Sequence, residues 1–274
     1  APNSPSFPVF PAPLTALPAG ERPPRDIYRV APDFRNPYSV QSTAGVQRAF
    51  AGGVLSADYV YLSGRDLVSL VDANAPAPLA KPASRTVDEA DATRPVPPAV
   101  GGFRKILTLG NRGRSWYHAL EVKFDRTRGP LHLIAAYTRS RAEDMANDAL
   151  PEDSRDLRAD RARSSADIPH NVTAGFEWSV PGSRPLTRGW SLAGVGMYRS
   201  RRPYTISWGD DRNGTTQNDA RPGQRNTGET GPYRTIDLAL TRRFQWRAAT
   251  IDARAQVFNA LNATNYEQYV GELL

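Results

Sequence analysis

Ser164, Ser165, Asp167 and His170 fall within seven residues of one another and carry the groups of a hydrolytic site: a hydroxyl, an imidazole and a carboxylate. A triad needs a spatial constellation with a buried acid and an oxyanion hole, and neighbours along a polar stretch supply neither. No catalytic residue is assigned on that basis. The three histidines, His118, His132 and His170, lack the paired spacing of a metal site. Asp210, Asp211, Asn213, Thr215 and Asp219 form an oxygen-rich run of the kind that wraps calcium. Counted from Asp211, the twelfth position is Pro222, where an EF-hand requires a bidentate Glu, so the run reads as a polar turn. Arg199, Arg201 and Arg202 gather three guanidinium groups suited to anionic ligands, against the plainer reading of solvated rim charges. The candidate ligand-binding residues are therefore Arg199, Arg201, Arg202, Asp210, Asp211, Asn213 and Asp219, with no metal or cofactor expected.

The elements that must position these groups are written in the hydrophobic pattern. NVTAGFEWSV (171–180) puts Val172, Ala174, Phe176, Trp178 and Val180 on one face and Thr173, Gly175, Glu177 and Ser179 on the other. The same dyad alternation runs through RTIDLALTRRFQW (234–246), TIDARAQVF (250–258) and YHALEVKFD (117–125). It is weaker in 39–50, 54–64, 130–140 and 189–200, and PYTISW (203–208) extends the last of these. About eight strands result, with no helical stretch of comparable strength. Residues 1–37 hold ten prolines and no period of 2 or 3.6, and read as an irregular segment.

Composition narrows the setting. Hydrophobic residues make up 39% of the 274-residue chain, too little for an ordinary core of this size. There is no Cys, which excludes disulfides, thiolate metal sites and thiol catalysis. No run of 18 apolar residues offers a membrane-spanning helix, but a spanning strand needs an apolar residue only at every second position. The net charge of +7 is spread among interleaved acids, as in Arg155-Asp156-Leu157-Arg158-Ala159-Asp160-Arg161, which fits a wet lining better than a nucleic-acid footprint. Alternation alone suits a soluble β-sandwich equally well. The connections decide: short turns at 51–53, 128–129, 181–188 and 247–249 alternate with long polar stretches at 65–114, 141–169 and 209–231. Soluble domains seldom carry loops of that size, whereas an outer-membrane barrel has short turns at one rim and long loops at the other. Tyr137, Trp178, Trp190, Tyr198, Tyr204, Trp208, Phe244 and Trp246 lie near strand ends, where aromatic girdles belong. The histidines then fall in the lumen or in loops.

A resemblance sharpens this reading. ADYVYLSGRDLVSLVDANAP (57–76), RGRSWYHALEVKFDR (112–126), LIAAYTRSRAEDM (133–145), LRADRARSSADIPHNVTAGFEWSVPG (157–182), RSRRPYTISWGDDRNGTTQNDARP (199–222), RNTGETGPYRTIDLALTRRF (225–244) and ARAQVFNALNATNY (253–266) follow one another in a specific order. Together they resemble the carboxy-terminal barrel of TonB-dependent outer-membrane receptors, in the branch with a carboxypeptidase-regulatory-like extension. Asn171 departs from the Arg usual after His170, and Val180 from the usual Leu. The resemblance covers about residues 38–268. It implies an all-β, antiparallel transmembrane β-barrel segment of about eight strands, part of a 22-stranded barrel with long extracellular loops in a bacterial outer membrane. Residues 1–37 would belong to an extracellular loop, and 38–274 would be a partial barrel lacking plug and terminal strand. The implied partners are outer-membrane lipid and lipopolysaccharide, a small solute of unknown identity, and a TonB-type energy-transducing complex acting through the plug, with no nucleic acid. Ligand capture would rest on loops too polar to collapse. An adhesion or secretion barrel, or a soluble basic β-domain for glycan or nucleic acid, are the alternatives from other classes.

Overall fold

The computed structural model describes residues 24–100, 102–145, 150–184, 186–218, 220–267 and 269–273. Its strands are β1 (Ile27–Val30), β2 (Tyr38–Phe50), β3 (Gly53–Asp72), β4 (Ile106–Arg128), β5 (Leu131–Met145), β6 (Arg161–Arg163), β7 (His170–Ser179), β8 (Trp190–Arg199), β9 (Pro203–Tyr204), β10 (Gly228–Glu229), β11 (Tyr233–Trp246) and β12 (Ala249–Val257), with a short helix α1 (Val87–Ala92) between β3 and β4. Eight of these form one antiparallel meander in the order β12-β11-β8-β7-β5-β4-β3-β2. Three of the hairpin turns at one end are two residues long, and the fourth, 180–189, is ten. Ala51 and Gly52 both take positive φ, the backbone that a two-residue hairpin needs, and Gly129 does so ahead of Pro130. The three long connections, 73–105, 146–169 and 200–232, all leave from the other end.

Register fixes the two faces, because residues directly opposite across a ladder point the same way. One rung reads Leu55, Phe124, Ala135, Ala174, Gly196, Ile236, and the next reads Arg126, Leu133, Phe176, Gly194, Leu238, Val257. The opposite face carries Ser56, Asp58, Glu121, Lys123, Thr138, Thr173, Glu177, Thr241, Arg243 and Asp252. Within the apolar face, polar or aromatic boundaries recur eight residues apart: Arg126 and His118 on β4, Trp178 and His170 on β7, Trp190 and Tyr198 on β8, Arg242 and Arg234 on β11. Eight residues at about 3.3 Å each, tilted by about 40°, span about 20 Å, close to the apolar band of an outer-membrane barrel. The boundary slips by about one residue per strand, as tilted strands require. Large apolar side chains on this face, among them Leu120, Ile236, Leu238, Leu240 and Phe244, are exposed. The buried apolar cluster is small by comparison: Val71, Met145 and Leu157, with Trp116 against it.

Three expectations change. β3 and β4 continue about eight residues past the expected loop boundaries at 65 and 114, so the first long connection begins at 73 and ends at 105. Register shifts between Gly64 and Leu67, and again between Leu67 and Ser69, break the alternation there and hide the strand from a period-2 reading. The Pro-rich segment is not wholly irregular: β1 lies parallel to β4, Ile27 against Ile106 and Val30 against Leu109, on a stretch of β4 that extends past the last β5 pair at Ser115. The part of that segment within 1–23 lies outside the described residues. PYTISW does not extend β8; Pro203–Tyr204 pairs instead with Gly228–Glu229 at the base of the third long connection. Among the described residues β2 and β12 each have one ladder neighbour, and every residue of both is exposed.

Candidate functional site

The long connections fold onto one another, contrary to the expectation of loops too polar to collapse. Polar groups do the packing. Arg94 is fully buried and donates from Nη1 to Asp72 Oδ2 at 3.1 Å, from Nε to Asp91 Oδ1 at 2.7 Å and from Nη2 to Thr216 Oγ1 at 3.0 Å. Asp91 sits on α1, whose start is fixed by a capping box: Thr86 Oγ1 accepts from Glu89 N, and Glu89 Oε2 accepts from Thr86 N. Buried Asn74 donates to Val96 O and Phe103 O, both at 2.9 Å, closing the first connection on itself. A second knot joins all three connections: Lys81 and Arg221 share Glu152, and Arg221 also pairs with Asp160. Arg225 pairs with Asp144 on the β5 extension. Beside the second knot lies a cleft of about 290 Å³ lined by Lys81, Glu152, Asp160, Asn213, Arg221 and Gln224.

The candidate residues divide between scaffold and mouth. Asp211 accepts from the backbone N–H groups of Thr215 and Thr216, and Asn213 Oδ1 accepts from Thr215 Oγ1 at 2.8 Å. Asn213 is 1% exposed, and its backbone carbonyl receives Leu79 N. This is the polar turn read from the sequence, with its oxygens facing backbone donors. Asp210 pairs with Arg212 at the surface. Asp219 lies outside the described residues. Arg202 is structural, donating from Nη2 to Glu267 O and through its backbone N–H to Thr230 Oγ1. Arg199 instead lies on the polar face, its guanidinium 5.6 Å from the Tyr233 ring centre, and exposed Arg201 reaches Glu229 at 3.8 Å. The serine, acid and histidine near 164–170 do not converge. Asp167 is buried under Arg163 and the Ala142 N–H, while His170 bonds Tyr137 and Arg139. His132 lies on the polar face beside Asp125, as expected, but His118 and His170 stand on the apolar face at its upper boundary. Among the described residues no group of three or more His, Asp or Glu is placed to hold a metal ion.

Residues 2–232 match the family model of the outer membrane beta barrel domain. The chain belongs to this outer-membrane β-barrel family. No curated protein matches it. Among solved structures, the outer membrane transporter YddB from Escherichia coli has a TM-score of 0.56 at 13% identity, over 89% of this chain and 31% of that one. The FrpB iron transporter (F3-3 variant) from Neisseria meningitidis gives 0.51 at 12% identity, over 87% and 29%. The siderophore receptor PirA from Acinetobacter baumannii gives 0.50 at 12%, over 84% and 28%. The chain thus spans less than a third of each, and at these identities the likeness is one of fold. In an outer-membrane barrel the apolar face meets lipid, the polar face lines the lumen, and the long connections form a cap outside the cell.

The barrel's cap carries a pH dependence of its own. Burial alone would raise the Glu152 carboxyl, but hydrogen bonds from Lys81 and the Arg221 N–H, with both positive charges, bring it below its ordinary 4.5. A carboxyl lowered on folding stabilises the fold above its unfolded pKa, and that contribution is lost as pH falls through the lowered value. Hydrogen exchange at the Arg221 N–H, corrected for the intrinsic rate, should therefore rise below about pH 4.5 while strand amides hold. Protection at Arg221 that stays constant down to about pH 3 would show that the knot does not depend on the ionised carboxylate.

Proposed function

We propose that these eight strands are part of the wall of a TonB-dependent receptor that captures a scarce solute outside the cell and admits it through a larger barrel. One observation carries the reading: a lipid-facing meander whose long connections gather into a single ion-paired cap above a polar lumen face. The exposed ladder edges of β2 and β12 support the larger barrel, because an unpaired edge in hydrocarbon leaves backbone groups unbonded. The ordered sequence resemblance supports the TonB-type complex as the energy source, acting through a plug. The strands perform no catalysis in this scheme; they position the cap and the lumen mouth.

Arg199 and Arg201 make the mouth selective for anions, since Asp211, Asn213 and Arg202 are occupied in holding the loops. An iron transporter and a siderophore receptor share the fold, so a radio-iron-loaded anionic siderophore is the first probe. In cells carrying the native full-length protein, Arg199→Glu with Arg201→Glu should lower capture about tenfold or more, since each charge-assisted hydrogen bond contributes about 1.5–3 kcal/mol. The barrel should still reach the outer membrane. Uptake should also stop when a protonophore collapses the proton-motive force. Uptake that continues undiminished without that force removes the energy-coupled reading, and capture indifferent to both reversals removes the mouth.

A further inference from the structure

The upper boundary of the lipid face has a composition of its own. Following the strand tilt, it runs Tyr61, His118, Arg139, His170, Tyr198, Arg234 across β3, β4, β5, β7, β8 and β11. Aromatic, imidazole and guanidinium groups occupy every place. Tyr59 Oη meets His118 Nδ1 at 2.7 Å, and Tyr137 Oη meets His170 Nδ1 at 2.9 Å. Arg139 donates from Nη1 to His170 Nε2 at 3.1 Å, so Nδ1 of a neutral His170 carries the proton and donates to Tyr137. Among the described residues, Nε and Nη2 of Arg139 have no hydrogen-bond acceptor. One step above stands Arg141, opposite His118, sharing Glu143 with Arg161. Arg114 stands exposed on the same face of β4. Arg114, Arg139, Arg141 and Arg161 on the outward face thus surround one carboxylate, Glu143, while Arg163, opposite Glu143 on β6, is paired with Asp167 and Glu229. A shallow depression of about 250 Å³ between Tyr59, His118, Leu120, Arg139 and Arg141 opens towards the lipid side.

We propose that this patch holds the phosphate groups of an outer-leaflet glycolipid, the lipid A portion of lipopolysaccharide, with Arg139 and Arg141 as the principal donors. Position and charge argue for a lipid over free phosphate. The depression is open, and directly below it Leu120, Val122 and Phe124 continue down β4 as the surface for acyl chains. A ligand with phosphate and chains meets both at once, whereas a free anion meets only solvated guanidinium groups. Tyr at the same height suits the headgroup level. The arginines read from the sequence as suited to anionic ligands, Arg199, Arg201 and Arg202, do not meet this need, because Arg199 lies on the lumen face and Arg202 is bound into the loops.

This inference rests on the outer-membrane setting and not on solute transport, so the two fail separately. The native full-length protein, extracted in mild detergent, should carry lipopolysaccharide detectable by native mass spectrometry. Arg139→Gln with Arg141→Gln should reduce the retained lipid at least fivefold, with the heat-dependent gel shift of a folded barrel unchanged. Wild-type protein, exchanged into lipid A, should retain it and lose at least fivefold when the phosphates have been removed enzymatically. That second comparison needs no variant and stands even if the double variant inserts poorly. Equal retention of phosphorylated and dephosphorylated lipid A overturns the proposal, as does a folded double variant with undiminished lipopolysaccharide. Displacement by inorganic phosphate at millimolar concentration would overturn the choice of a lipid in favour of a free anion.

Discussion

Leu238→Arg and Phe176→Arg each remove the protein from the outer-membrane fraction, while Thr173→Arg leaves it inserted. Leu238 lies midway between the boundary residues Arg234 and Arg242, and shares a rung with Phe176, Gly194 and Val257. A guanidinium there faces hydrocarbon near the midplane, at about 2–4 kcal/mol for the charge alone. Packing adds to the loss. Leu238 and Phe176 close over Gly194, where an added Cβ would come within 2.9 Å of Leu238 Cδ2 and 2.6 Å of Phe176 Cε1, so both side chains already fill the space a larger residue would need. Thr173 sits one residue from Ala174 on the opposite face, where Asn171 and Glu177 already line the wall. The heat-dependent gel shift and membrane fractionation read the difference. If Thr173→Arg proves as damaging as Leu238→Arg, the assignment of faces is inverted.

The sequence made those faces legible wherever lipid and lumen impose opposite demands on neighbouring residues. β7, β11 and β12 show it cleanly. β5 is blurred because Ile134 and Ala136 point to the lumen while Leu133 and Ala135 point to lipid, leaving an apolar run with no period. Above the membrane the demand changes: the β3–β4 ribbon packs against the cap through Ser69, Val71, Asp72 and Leu107 and its register shifts twice, so residues 65–72 and 106–114 carry no alternation although they are paired. The cap was illegible for a different reason. Lys81 meets Arg221 across 140 residues, and a list of charged residues does not say which carboxylate a distant guanidinium will find. The Thr86–Glu89 capping box in that stretch starts a helix of only six residues, too short for its periodicity to show. Two of the candidate residues meet the same limit: Asp211 and Asn213 look like ligands by type, but the backbone N–H groups of Thr215 and Thr216 and the Thr215 hydroxyl already engage their oxygens.

Arg94→Met opens the cap without disturbing the barrel. The arginine ties the end of β3 through Asp72, the helix through Asp91 and the third connection through Thr216, and its side chain has no exposed surface. Methionine fills much of the volume but leaves the Asp72 and Asp91 carboxylates buried without their shared cation, a loss of about 3–5 kcal/mol. Asp91 retains Arg104 at 2.8 Å, and Asp72 Oδ1 retains the Asn74 and Ile106 N–H groups, so the loss falls at the lower end of that range. Local opening of a loop assembly draws on less free energy than unfolding of the sheet, so a change of this size exposes the loops first. Hydrogen exchange should rise at the Asn74 and Val96 N–H groups, both held by side-chain oxygens of this knot, while strand amides near Leu238 and Phe176 keep their protection. Arg94→Lys should open the cap to a lesser degree, because one ammonium cannot reach Asp72, Asp91 and Thr216 together. Loss of siderophore capture with insertion intact would then tie the cap's rigidity to solute binding. Unchanged protection at Asn74 and Val96 in Arg94→Met would instead show that the backbone bonds of the first connection hold it without the buried charge.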